Sequence, residues 1–180
     1  MNTILNKMPV DYWNGKHSIS GAWPWITPGA IITLERILKP DWNILECGCG
    51  GSTVFYSKRV KSVLSLESDL GWADQIKQLN LPNTTIKHCA DLKAFTDVIW
   101  DLPNDHYDFV SVDAARGIDR LALTRKAMDK LKIRGWLMID NYNANGAENF
   151  IAPPSWLSFV FDDIHWDGKG TKLWQRIQNV

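Results

Sequence analysis

The chain has 180 residues, 45% apolar and 22% charged, which is enough for one domain with a substantial core and too short for two large ones. Twenty basic side chains balance twenty acidic ones, so no net field draws the protein towards nucleic acid or an anionic membrane, and a small-molecule partner is the expectation. No run reaches the roughly 18 apolar residues of a membrane span, and MNTILNKMPVDYW lacks the unbroken apolar segment of a signal peptide, so cytoplasmic residence is expected.

Residues 1–25 read as an arm or lid, with Trp13, Trp23 and Trp25 crowded into a Pro/Gly-rich stretch that could wall a pocket, ahead of a domain over 26–180. Disorder is expected only in the first dozen residues. A helix is predicted over Pro28–Leu38, with Thr27 as N-cap and Pro28 at its first position. Strand-length apolar runs follow at Asn43–Glu46, Ser62–Leu66, Thr84–Lys87, Asp108–Val112 and Trp136–Ile139. Helical patterns at Thr53–Lys58, Gly71–Leu79, Leu92–Ile99 and Ile118–Leu131 separate them. Such alternation builds βαβ units and a mainly parallel sheet. Beyond Asn149, Trp156–Asp162 and Thr171–Ile177 read as two strands of a terminal antiparallel hairpin around Asp167-Gly168-Lys169-Gly170.

Five strands carry an acid at or near the carboxyl end: Glu46, Glu67, Asp91, Asp113 and Asp140. Ligands of open parallel sheets sit at those ends, so the expected crevice is acidic although the chain is neutral. The first strand runs into ILECGCGGST, a glycine turn guarded by Glu46. No lysine follows at the spacing of a phosphate-binding loop, which disfavours a nucleoside triphosphate. The dinucleotide fingerprint GxGxxG fails at its third glycine, although Glu67 stands 21 residues beyond Glu46, about where a ribose-binding acid belongs. A carboxylate at the mouth of the turn would repel a pyrophosphate and favour an ammonium group beside a sulfonium.

The ordered series ILECGCGGST, VLSLESD, CADL, YDFVSVDAARG and GWLMIDNYNANG resembles the motifs of class I S-adenosylmethionine-dependent methyltransferases, over roughly residues 26–177. The resemblance implies a single Rossmann-like α/β domain, a seven-stranded mainly parallel sheet with helices on both faces and a C-terminal antiparallel hairpin. It implies S-adenosylmethionine as cofactor. Glu46, Cys47, Gly48 and Gly50 match the turn beside the methionine moiety, with Ser52 and Thr53 opening the helix behind it. Glu67 matches the acid that binds both ribose hydroxyls, with Ser68 beside it, and Asp91 and Leu92 match the adenine positions.

Asp113 and the pair Asp140-Asn141 are similar to the magnesium-binding aspartate and Asp-Asn of the catechol and caffeoyl-coenzyme A O-methyltransferases, which implies Asp113 and Asp140 as catalytic residues and a magnesium site at Asp113, Asp140 and Asn141. Arg116 stands where those enzymes carry a lysine proposed as the base, and arginine cannot accept a proton. A purely structural reading stands beside this one: Asp113 caps a turn and Asp140-Asn141 hold a loop.

His17, His88, His106 and His165 have no partner spacing that marks a catalytic or zinc cluster, and Cys47, Cys49 and Cys89 read as small, buried, reduced side chains rather than zinc ligands. Three functions are open. The first is methylation of a small hydroxylated acceptor in a pocket walled by Trp23, Trp25 and the 141–150 loop. The second is an NAD-dependent oxidoreductase, and the third a catalytically silent cofactor-binding module. No DPPY-type tetrapeptide or basic stripe supports a nucleic-acid acceptor, and no feature specifies an oligomeric state.

Overall fold

The computed structural model describes residues 18–115, 117–144, 146–163 and 168–178. Trp13 and His17 of the arm, Arg116, and His165 and Asp167 of the hairpin lie outside the described residues. A short helix α1 (Ser18–Gly21) and helix α2 (Pro28–Ile37) precede β1 (Asn43–Cys47), α3 (Gly51–Ser57) and β2 (Ser62–Glu67). Then come α4 (Leu70–Gln78), β3 (Thr84–His88), α5 (Leu92–Asp101), β4 (Tyr107–Val112), α6 (Arg120–Ala127) and β5 (Leu131–Asp140). The hairpin β6 (Leu157–Phe161) and β7 (Thr171–Gln175) closes the chain. Among the described residues no helix is long and apolar enough to cross a membrane.

The described strands form one seven-stranded sheet in the order β3-β2-β1-β4-β5-β7-β6. Pairings from β3 to β5 are parallel, and β7 inserts antiparallel between β5 and β6. The order reverses between β1 and β4, the position at which open sheets of this kind hold their ligands. A dinucleotide-binding domain has a parallel sixth strand beside β5, so the reversed β7 sets this sheet apart from that fold.

Side chains alternate across the sheet. Leu45, Cys47, Leu66, Val110, Val112, Leu137 and Ile139 point to one core, under Phe95 and Ile99 of α5 and Leu123 and Ala127 of α6. Ile44, Val63, Phe109 and Met138 point to the other, under Ile31 and Leu34 of α2 and Phe55 and Tyr56 of α3. Coverage on both faces is why the central strands read as nearly unbroken apolar runs.

Four local expectations change. The helix predicted over Ile118–Leu131 is shorter: Asp119 caps it, accepting from the Ala122 amide at 3.0 Å, and a 3₁₀ turn at Met128–Lys130 ends it. Leu131 then starts β5 opposite Tyr107, five residues ahead of the predicted strand. The register slips between Tyr107 and Phe109, where Arg134 takes φ 67° and any Cβ on Gly135 would lie 3.0 Å from the Asp108 carbonyl oxygen. Helix α3 begins two residues early, at Gly51, and Ser52 and Thr53 lie within its first turn. Thr27 sits at the N-cap of α2, but its hydroxyl makes no capping bond; instead its amide donates to the Thr171 hydroxyl at 3.1 Å, tying α2 to β7.

Candidate functional site

The glycine turn leaves β1 at the switch point between β1 and β4. Gly48 has φ 104°, and a Cβ there would lie 2.2 Å from the Asp113 carbonyl oxygen, so this position takes glycine for both conformation and space. Its amide donates to the Leu66 carbonyl at 2.7 Å, and the Asp113 amide donates to the Cys47 carbonyl at 2.8 Å, which locks the turn between the ends of β2 and β4. A Cβ on Gly50 would meet nothing within 4 Å, so this is the side of the turn open to a ligand.

Glu46 is not at the open mouth. Period-two alternation turns it inward on the face of Ile44, beneath α3, where it is 1% exposed. The register sets it between Ser65 of β2 and Ser111 of β4, a polar row across three strands. Its carboxylate accepts from the hydroxyls of Ser52 at 2.5 Å, Thr53 at 2.7 Å and Ser65 at 2.7 Å. Thr53 in turn accepts from the Gly50 amide at 2.9 Å. The carboxylate therefore holds α3 and the glycine turn onto the sheet through hydroxyls. Burial pushes its carboxyl up to about 7, against the pull of the three hydroxyl bonds, and the charge of Asp113 adds to the rise.

Glu67 lies closer to the crevice and bridges two segments. One carboxylate oxygen accepts from the Cys49 amide at 2.6 Å, and the other accepts from the Asp69 amide at 2.7 Å and the Ser68 hydroxyl at 3.3 Å. Cys49 of the turn is half-buried, and both burial and the carboxylates of Glu46 and Glu67 push its thiol up. Asp91, at the end after β3, is exposed and caps α5 by accepting from the Ala94 amide at 2.8 Å, with Leu92 beside it. Helix α1 packs near the turn, where Ile19 joins Ala22, Val54, Ile76 and Cys49 in one apolar cluster.

At the ends of β4 and β5 the decisive residue is Arg120, which sequence reasoning missed. Its side chain is 9% exposed and its Nη2 lies 2.8 Å from Asp113 Oδ1. Nε and Nη2 donate to the Ala114 carbonyl at 2.9 and 2.7 Å, and Nη1 donates to Asn141 Oδ1 at 3.2 Å and to the Asp140 carbonyl. The one signal in the sequence is position: Arg120 follows a good N-cap, Asp119, so it must leave the first turn of α6 near the strand ends.

The magnesium expectation finds no support in this arrangement. Asp140 is buried and its Oδ1 accepts from the Thr171 hydroxyl at 2.7 Å, while the side-chain oxygens of Asp113 and Asn141 already face a guanidinium. A divalent ion about 4 Å from that fixed charge would be repelled by about 8 kcal/mol at an effective dielectric constant near 20. Among the described residues no three His, Cys, Asp or Glu side chains gather in a way that could hold a metal ion. The three residues meet around Arg120, and with that guanidinium in place the site does not fit a divalent cation.

Beyond β4 lies a cavity of about 410 Å³ lined by Ala115, Gly117, Ile118, Asp119, Leu121 and Gly146. Trp23, expected to wall a pocket, packs on Phe55 with ring centroids 6.2 Å apart.

No family model matches the chain, and no curated protein matches it. Solved structures do. A Klebsiella pneumoniae protein described as a candidate O-methyltransferase is 19% identical, with TM-score 0.63 over 83% of this chain and 78% of that one. A methyltransferase from Geobacter sulfurreducens is 11% identical, with TM-score 0.63 over 99% of this chain and 91% of that one. A candidate methyltransferase from Streptococcus mutans, in complex with S-adenosylhomocysteine, is 15% identical, with TM-score 0.55 over 80% and 92%. With its strand order and its reversed β7, this chain has the class I S-adenosylmethionine-dependent methyltransferase fold.

Proposed function

We propose that the chain is an S-adenosylmethionine-dependent methyltransferase that O-methylates a small hydroxylated molecule. The observation that carries this reading is the glycine turn at the β1/β4 switch point, open over Gly50 and pinned through its Cys49 amide to Glu67 at 2.6 Å. A cofactor in that crevice would lie along the ends of β1, β2 and β3. Gly48 and Gly50 would border its methionine end, Glu67 would offer a carboxylate to the ribose, and Asp91 with Leu92 would border the adenine. Glu46 serves the site from below, by fixing the turn.

Methyl transfer from a sulfonium would be an in-line displacement: the acceptor oxygen would bond to the methyl carbon, the carbon–sulfur bond would break with its electron pair left on sulfur, and the acceptor hydroxyl would give up its proton to water. Alignment supplies much of the rate, so the chain's main task is to hold both reactants in place. The cavity beyond β4 is of the size that takes a small molecule and lies on the β4 side of the same sheet end.

Calorimetry with S-adenosylhomocysteine and with NAD is the deciding experiment. Saturable binding of the first and none of the second supports the proposal; the reverse result ends it. Release of S-adenosylhomocysteine on incubation with S-adenosylmethionine and a panel of phenols and sugars separates an enzyme from a silent binding module.

A further inference from the structure

Four oxygens from two segments converge on the Arg120 guanidinium: Asp113 Oδ1 and the Ala114 carbonyl after β4, and the Asp140 carbonyl and Asn141 Oδ1 at the end of β5. One carboxylate, one amide and two carbonyls are the hard donors that a divalent cation takes. Here they surround a planar cation built into the first turn of α6, which keeps its charge at every physiological pH and offers five N–H donors in a fixed fork. Asn141 adopts φ 51° and turns its amide oxygen to that fork, which leaves its buried Nδ2 without a hydrogen-bond partner among the described residues. The amide orientation therefore serves the guanidinium at a cost to its own nitrogen.

We propose that Arg120 is the resident cation of this crevice: its guanidinium takes the place that the resembled O-methyltransferases give to magnesium, and the strand ends are positioned without a divalent ion. Arg120 acts through Asp113 and the Asp140-Asn141 turn, as a positioning residue. The cofactor readouts below rest on the proposed function; the magnesium titration of the unliganded chain does not.

Magnesium or calcium chloride titrated into the wild-type chain gives no saturable heat, and dialysis against EDTA leaves the S-adenosylhomocysteine affinity unchanged. Arg120→Ala lowers that affinity by about tenfold or more. Added guanidinium ion restores it and magnesium does not, a difference that general loss of structure would not produce. Arg120→Lys remains impaired, because one ammonium cannot span four oxygens. One-to-one magnesium binding to the wild type that Asp113→Asn abolishes would overturn the proposal, and so would wild-type affinity in Arg120→Ala or its rescue by magnesium. If Arg120→Ala does not fold, the wild-type titration and Arg120→Lys still decide. If the wild type binds no S-adenosylhomocysteine, the functional reading fails; the titration, and unfolding temperatures of the variants with guanidinium or magnesium, still decide the cation.

Discussion

The Thr53 hydroxyl stands between the Gly50 amide and the Glu46 carboxylate, accepting from the first at 2.9 Å and donating to the second at 2.7 Å. One side chain thus fixes the open edge of the glycine turn to an acid buried in the sheet. Replacing Thr53 with valine keeps the shape and removes both bonds, leaving a buried amide and a carboxylate short of a donor. The expected loss is about 1–3 kcal/mol of unfolding free energy, read from urea denaturation. A variant as stable as the wild type would show that the turn holds itself.

The Glu46 carboxyl, raised from an ordinary 4.5 to about 7 chiefly by burial, makes stability depend on pH. A raised carboxyl binds its proton more tightly folded than unfolded. Its contribution is therefore complete below 4.5, declines as pH rises, and is gone above about 7. The shift corresponds to about 3 kcal/mol across that window. Unfolding free energies measured at intervals from pH 4.5 to 8 should fall for the wild type relative to Glu46→Gln by that order. Parallel profiles for the two proteins would contradict the buried placement.

Glu67→Ala removes the acceptor for the Cys49 and Asp69 amides as well as the proposed ribose ligand. S-adenosylhomocysteine affinity should drop by about 1–3 kcal/mol, or about 5- to 150-fold. Glu67→Gln keeps one acceptor oxygen and should fall between. Calorimetry at a temperature where all three proteins are folded makes the comparison.

Gly48→Ala forces a side chain into φ 104° and drives its Cβ to 2.2 Å from the Asp113 carbonyl oxygen. Backbone strain of this kind alone costs about 1–3 kcal/mol, and the overlap adds to it. The variant should melt well below the wild type. Gly50→Ala, whose Cβ meets open space, should melt close to it yet bind S-adenosylhomocysteine less well. Equal melting of the two variants would contradict the geometry of the turn.

Local pattern was enough for the elements and their sequence. The apolar runs that became β1, β2, β4 and β7 and the glycine turn after β1 rest on interactions within a few residues, and such interactions are written in spacing. The row Ser65, Glu46, Ser111 was also present, as one polar residue near the end of each of three apolar strands. Its meaning was not, because the alternation that buries Glu46 becomes visible only when helices cover both faces of the sheet.

The amino-acid sequence by itself determined the alternating α/β order, the closing hairpin, and the glycine turn with acids at the following strand ends, since periodicity and turn chemistry are short-range. Only the tertiary structure decided that Glu46 lies under the turn and that Arg120 gathers Asp113, Ala114, Asp140 and Asn141 around one positive charge. A guanidinium at the end of a flexible three-carbon stem can choose among many acceptors. Which ones it meets depends on how β4, β5 and α6 pack, and no spacing along the chain encodes that choice.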